Sequence, residues 1–174
     1  MKKFLSILLF FFLTIPCYST IITGEVEYNA ESASEEVFAN PVTPLSFEKI
    51  RPHLIDSNAE ENLVSLMSGI TELKNRRMAK FSDGSYGIIY LDDPLYTWIY
   101  KNGRLINFIQ KSSLDYPAKT TRFKPDGSVI NVGLKVSNRE SFTYSPDGKL
   151  IAHWLGNLCY DSANNIIMTR KDIE

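Results

Sequence analysis

The chain has 174 residues, with 19 Lys or Arg and 20 Asp or Glu side chains, so its formal net charge is −1 at pH 7. This near-neutral charge creates no long-range field that would recruit nucleic acid, and we expect no nucleic-acid partner. The two histidines, His53 and His153, lie in different predicted elements without a partner at metal-ligand spacing. We therefore expect neither a metal nor another cofactor.

Residues 1–19 have the layout of a secretory signal peptide. Two lysines precede an apolar run over residues 4–15, and Pro16 ends that run. A membrane-spanning helix needs about 20 apolar residues, and this run is shorter. We predict cleavage after Ser19 and export to the periplasm or the outside of a bacterial cell, with no membrane span in the mature chain. An uncleaved anchor and lipid attachment at Cys17 are the alternatives; Pro16, directly before Cys17, disfavours lipid attachment.

Residues 20–44 are polar and acidic and contain no Lys or Arg. Such a composition buries too little apolar surface to offset the entropy of ordering the chain. We predict a flexible linker here, and the alternative is an acidic tail that docks on a partner.

Residues 45–76 are predicted to be helical. Ser57 and Glu60 have the spacing of a capping box, and a shorter helical turn is expected near residues 47–50. Apolar residues then follow at steps of three and four, which lines one helix face. These residues are Leu63, Leu66, Met67, Ile70 and Leu73.

Residues 77–171 change to a pattern of short strand-like segments. Turn signals recur at gaps of 8 to 13 residues, which is typical of an antiparallel all-β region. The predicted fold class is α+β and mainly β: a helical N-terminal piece followed by an antiparallel meander of about nine or ten strands. The meander is either an open, twisted sheet or a closed barrel, and the short strands favour the open form.

The segments "FKPDGSV" and "YSPDGKL" contain the same Pro-Asp-Gly turn. Proline presets φ for the first central position, Asp can bond the backbone ahead, and Gly accepts positive φ. The turn glycines Gly84, Gly103, Gly127 and Gly148 recur about every 20 residues, the length of one hairpin. We expect these turns to lie along one edge of the sheet.

Strict alternation in the later strands predicts one dry and one wet face. Val132 and Leu134 share a face, and so do Phe142 and Tyr144. On the same rule His153 lies on the wet face beside Ile151.

The repeated turn resembles the hairpin repeats of bacterial cell-surface proteins. Residues 156–171, "GNLCYDSANNIIMTRK", resemble the YD repeats of Rhs-type proteins, with Tyr160-Asp161 and Asn164-Asn165 at the positions of the Tyr-Asp and Gly-Asn pairs. Residues 100–105, "YKNGRL", are similar to MORN-like antitoxin repeats. Residues 144–152, "YSPDGKLIA", are similar to the blade motif of TolB-type propellers, although the chain is too short for a propeller of about sixteen strands. The resemblance implies an extracytoplasmic β-sheet scaffold and transfers no catalytic residue.

Five aromatic residues of the first strands are the candidate binding surface: Tyr86, Tyr90, Tyr96, Trp98 and Tyr100. Their alternative role is an ordinary hydrophobic core. The sequence contains no nucleophile elbow or Cys–His arrangement, and Cys159 is interpreted as a small buried residue. We therefore predict a non-enzymatic module that binds a macromolecule at the bacterial envelope. The alternatives are a barrel-shaped carrier of a small ligand and an enzyme that uses scattered Asp and Tyr residues.

Overall fold

The computed structural model describes residues 27–40 and 45–169, so the predicted signal peptide at residues 1–19 lies outside the described residues. Among these residues, three helices, α1 to α3, precede the sheet, and a 3-10 turn, Arg51–His53, follows α2 directly. The helices are α1 Ala30–Phe38, α2 Phe47–Ile50 and α3 Ala59–Met67. The strands are β1 Glu72–Leu73, β2 Arg76–Lys80, β3 Tyr86–Tyr90, β4 Tyr96–Lys101, β5 Arg104–Lys111, β6 Ala118–Phe123, β7 Val129–Lys135, β8 Glu140–Tyr144, β9 Leu150–Leu155, β10 Leu158–Tyr160 and β11 Ile166–Thr169.

All eleven strands form one antiparallel sheet in which each strand pairs with its neighbours in sequence. The predicted fold class, a mainly β meander after an N-terminal helical piece, is confirmed. Among the described strands, β1 and β11 are the two edges, so the sheet is open and the alternative of a closed barrel is wrong. The sheet has eleven strands rather than nine or ten because β1 and the start of β2 lie in the segment predicted to be helical.

Four of the turns at one end of the sheet share the same hydrogen bond and the same backbone conformation. In residues 81–85, 124–128, 145–149 and 161–165, the first residue donates its N–H to the last carbonyl, at 2.8–2.9 Å. The fourth residue has positive φ, between 61° and 87°, and it is glycine in three turns and Asn164 in the last. Asn102-Gly103 makes the remaining turn at this end with both φ angles positive. The predicted shared edge of turns is confirmed.

A β-bulge follows four of these turns, and the sequence pattern did not reveal it. The register skips one residue of the returning strand each time, and that residue is Ile106, Ile130, Ile151 or Ile167. An extra residue reverses the alternation of every side chain beyond it. His153 consequently pairs with Phe142 and shares its face, so the prediction that it lies on the wet face is wrong.

Helix α1 lies inside the segment predicted to be a flexible linker, and that prediction is wrong for residues 30–38. The Asn29 side chain accepts hydrogen bonds from the backbone N–H groups of Glu31 and Ser32, at 2.9 Å each. Ala33 and Val37, one helical turn apart, are buried against a cluster on β7 and β8. The apolar face of α1 is therefore small. The helix is stabilised because this face packs on the apolar side chains of β7 and β8.

Helix α3 is shorter than the prediction for residues 45–76. It ends at Met67, because Gly69 takes φ +79° and turns the chain toward β1. Leu66 is buried, whereas Met67 and Ile70 are 78% and 47% exposed. The capping box does not form, since Asn58 is the N-cap residue and its side chain makes no capping hydrogen bond.

Within residues 27–40 and 45–169, no helix has the length and apolar character needed to cross a lipid bilayer.

Two glycine substitutions should differ sharply in their effect on the free energy of unfolding. A Cβ on Gly148 would meet no atom within 4 Å, so Gly148→Ala adds only the strain of positive φ, about 1–2 kcal/mol. A Cβ on Gly133 would lie 2.5 Å from the backbone oxygen of Phe142 and 3.0 Å from Thr120 Oγ1. We expect Gly133→Ala to lower the stability by more than Gly148→Ala, as measured by denaturant unfolding. Equal losses would contradict the close packing of β7 on β8.

Candidate binding face

The aromatic residues proposed from the sequence belong to the hydrophobic core. Trp98 and Tyr86 are 0% exposed, Tyr100 is 1% exposed and Tyr96 is 5% exposed, while Tyr90 is partly buried against the same cluster. The prediction that these five residues form a binding surface is therefore wrong, and the alternative of a core is correct. The physical reason is that α2 and α3 lie over the first strands and exclude solvent from them.

A row of large side chains crosses six strands on the face beneath the helices. Directly paired residues share a face, and the register connects Met78, Ile88, Trp98, Phe108, Phe123 and Val129 in one such row. The rings of Trp98 and Phe108 lie 5.0 Å apart, and those of Phe108 and Phe123 lie 5.1 Å apart. We call this side of the sheet the covered face.

The 3-10 turn closes the core over Trp98. The His53 ring stacks on the Trp98 ring at 3.7 Å with an interplanar angle of 10°. Burial lowers the pKa of His53 below its usual value. The neighbouring Lys49 ammonium lies 3.9 Å from the centre of the Tyr96 ring and 3.4 Å from Asp93 Oδ2. His53 is thus a packing residue, and its ring faces an aromatic side chain rather than a reactive group.

A buried polar network joins α3 to β2 and β3. Asp56 Oδ2 accepts hydrogen bonds from Tyr86 OH at 2.7 Å and from Asn62 Nδ2 at 2.8 Å. Asn62 Oδ1 in turn accepts from Arg76 Nε at 2.8 Å, and Arg76 also pairs with Glu61. Leaving a buried donor or acceptor of such a network unpaired costs about 1–3 kcal/mol. The network fixes α3 to β2 and β3, because the Asp56 carboxylate is hydrogen-bonded to Tyr86 and Asn62 and the Arg76 guanidinium is bonded to Asn62 and Glu61.

The opposite side of the sheet, which we call the open face, has no helix over it among the described residues. Its central row runs across five strands through Lys111, Thr120, Gly133, Thr143 and Ala152. The neighbouring row on one side contains Thr97, Ile109, Arg122 and Asn131; the row on the other side contains Ala118, Lys135, Ser141, Trp154, Cys159 and Met168. Most of these side chains are small, polar or cationic, and most are partly exposed.

The open face carries positive charge without nearby carboxylates. Lys111, Arg122 and Lys135, which we call the cation cluster, make no ion pair with a carboxylate of the described residues. Burial lowers the pKa of Arg122, and burial together with the charge of Lys135 lowers the pKa of Lys111. Both residues are thus partly buried cations that have no carboxylate partner among the described residues.

Sequence reasoning missed the cation cluster because it searched for reactive residues and aromatic surfaces. A signal was present in the strands themselves. Within the strands β2 to β11 themselves, Glu140 is the one carboxylate, whereas nine basic residues occur: Arg76, Arg77, Lys80, Lys101, Arg104, Lys111, Lys119, Arg122 and Lys135. Only the register of the sheet could show which of them share a face.

The last strand provides a second exposed surface. β11 is an edge of the sheet, and all four of its residues are exposed; Ile166, Ile167 and Met168 are 56%, 52% and 57% exposed. An apolar edge strand presents unpaired backbone groups to which another strand can add.

The described residues contain no group of three or more His, Cys, Asp or Glu side chains that could hold a metal ion. Cys159 is a free thiol and is 1% exposed, as the sequence predicted, and burial raises its pKa. A buried thiol with a raised pKa is a poor nucleophile, since the thiolate is the reactive form.

No protein-family model matches the chain, and neither a curated protein nor a solved structure shows significant similarity to it. The function is therefore argued from the two faces of the sheet.

Acidification should loosen the contact between His53 and Trp98. The folded chain binds the His53 proton less tightly than the unfolded chain, because its folded pKa is lowered. The stability it contributes is complete above the unfolded pKa, about 6.5, and falls as the pH drops below that value. We expect the melting temperature to decrease between about pH 7 and about pH 5, and His53→Gln to reduce this decrease. Arg51→Gln, on the same 3-10 turn, is the control and should leave the decrease unchanged; equal slopes for His53→Gln and the parent chain would contradict the account.

Proposed function

We propose that the protein is an exported, non-enzymatic binding module of the bacterial envelope, and that it holds another macromolecule on the open face of its sheet. The observation that carries this proposal is the asymmetry of the two faces. The helices and the aromatic core occupy the covered face of β2 to β8, while the rows through Thr120 and Arg122 face outward. An antiparallel sheet with one covered side commonly has a polar, solvated opposite side; what favours a bound partner here is the set of cations on that side that have no carboxylate partner among the described residues.

The open face is extensive and regular, which suits a polymeric or macromolecular partner. Its central row spans β5 to β9, which is about 19 Å at the usual spacing of neighbouring strands, 4.7–4.9 Å. Threonine and serine side chains on this row and on its neighbour can donate and accept hydrogen bonds. The bulge residues Ile106 and Ile151 are 38% and 43% exposed and lie beside this face. Polar contacts flanked by apolar side chains are common in macromolecular interfaces.

We propose no catalytic role, because the side chains that could act as a base or an acid already contact other side chains of the protein. Asp56 is engaged by Tyr86 and Asn62, and His53 is stacked on Trp98. His153 Nε2 lies 2.9 Å from Glu140 Oε1, and the His153 ring stacks on Phe142 at 4.2 Å. Each group has a structural partner, which supports a binding role over an enzymatic one.

The alternative of a small-ligand carrier required a closed barrel with an enclosed interior. The sheet is open and the space beside Tyr96 and Trp98 is filled by protein, so we do not retain this alternative.

Export follows from the proposed signal peptide and is testable by itself. We expect the protein recovered from the periplasm or medium of a bacterial host to begin at Thr20, as read by N-terminal sequencing. An intact Met1 on protein that stays in the cytoplasm would contradict export.

A bulky residue on the open face should block the partner. We expect Thr143→Tyr, in the centre of that face, to reduce retention of the partner from envelope extracts at least about tenfold, since loss of a central contact costs about 1.4 kcal/mol or more. Tyrosine favours strands, so the fold should persist. Glu35→Tyr adds the same ring to an exposed position of α1, on the covered side, and should leave retention unchanged. Loss with Glu35→Tyr and retention with Thr143→Tyr would contradict the proposal.

A further inference from the structure

The cation cluster surrounds one position of the sheet. Thr120 lies on the open face of β6, with Lys111 directly opposite on β5. Arg122 is two residues further along β6, and Lys135 pairs with Ala118, two residues back. Diagonal neighbours in a sheet lie about 7–8 Å apart, which is within reach of Lys and Arg side chains. Three long cationic side chains on three adjacent strands can therefore converge above Thr120.

Four of the six other basic residues of the strands pair with a carboxylate, and the remaining two, Lys80 and Arg104, are exposed, whereas the cluster residues are partly buried and have no carboxylate partner among the described residues. Arg76 pairs with Glu61, Arg77 with Glu72, Lys101 with Asp83 and Lys119 with Glu36. Lys135 contacts an aromatic ring instead, and its ammonium lies 5.4 Å from the centre of the Tyr116 ring. The Arg122 side chain is partly buried and has neither a hydrogen-bond partner nor an ion-pair partner among the described residues. Partial burial weakens the hydration of a charge, and an anion bound from solvent would stabilise a cation in that position.

We propose that Lys111, Arg122 and Lys135 form a binding site for a phosphoryl group on the open face, with the Thr120 hydroxyl at its centre. This inference rests on the proposed function, since the phosphoryl group would be the charged part of the macromolecule that the open face holds.

The number of cations favours phosphate over carboxylate. One Arg suffices to pair with a carboxylate, whereas three cations match a group with a charge of about −1.5 to −2 and three acceptor oxygens. The guanidinium of Arg122 can bond two of these oxygens in parallel, and the ammonium groups of Lys111 and Lys135 act as point charges. The small side chains of the central row, above all Gly133, leave the space above Thr120 unobstructed by bulky side chains. The open face of β4 to β9 has no carboxylate in its paired rows, so nothing there repels the anion.

Inorganic phosphate is the first probe, and the mature chain is titrated with it while backbone amide resonances and the melting temperature are recorded. We expect the largest shifts at the amides of Thr120, Arg122 and Gly133, and a melting temperature that rises with phosphate concentration. Arg122→Gln should weaken the affinity about tenfold or more, because it removes a charge-assisted contact that can bond two phosphate oxygens in parallel. Lys80→Gln is the control: Lys80 is an exposed strand cation outside the cluster, and its removal should leave the affinity unchanged.

The double variant Lys111→Gln/Lys135→Gln tests the same site should Arg122→Gln fail to fold. Unchanged phosphate affinity in a folded cluster variant would overturn the inference, as would amide shifts that lie away from β5 to β7. Phosphatidylcholine vesicles with and without phosphatidic acid form the second arm and distinguish a lipid headgroup from a free or polymer-borne phosphate. Phosphate binding without retention of any macromolecule would overturn the proposed function alone. Retention without phosphate binding would overturn this site alone.

Discussion

The stacking of the N-terminal segment on the aromatic row is the contact on which the rest of the molecule depends. A single sheet of eleven strands has two faces, and an antiparallel sheet is stable in water when one of them is buried. The row through Trp98, Phe108 and Phe123 supplies that buried face, and His53 and Ile50 close over it. The Asp56 network then fixes the position of α3 over the first strands. Without this cover, the largest apolar side chains of the chain would face solvent.

Burial of one face leaves the other face free for binding. The residues that make the covered face dry also fix which side chains point outward, because register and face are linked in a pleated sheet. The bulges after the turns maintain this division, because each inserts one isoleucine into the returning strand. After the turn between β8 and β9, the inserted Ile151 lets both Leu150, opposite Tyr144, and His153, opposite Phe142, lie on the covered face. Architecture and binding surface are thus two consequences of the same register.

The parts of the structure that were predictable from the sequence are the ones set by local chemistry. Pro-Asp-Gly turns are encoded within four residues, so the meander and its shared edge of turns followed directly. Helix α1 was missed because only Ala33 and Val37 of it are buried, which is too weak a pattern to recognise without the partner surface. The bulges were missed because a skipped residue leaves no trace in composition. The aromatic cluster was ambiguous, since burial of Trp98 depends on a segment distant in sequence, and the cation cluster depends on register alone.

The two tryptophans of the chain report on the two faces and test the central claim directly. Trp98 is fully buried on the covered face, and Trp154 lies partly exposed on the open face. The measurement is acrylamide quenching of fluorescence in Trp154→Phe, which retains Trp98, and in Trp98→Phe, which retains Trp154. We predict that the emission of Trp98 is nearly unquenched and that the emission of Trp154 is quenched readily. Equal quenching of the two residues would contradict an open sheet that is covered on one face.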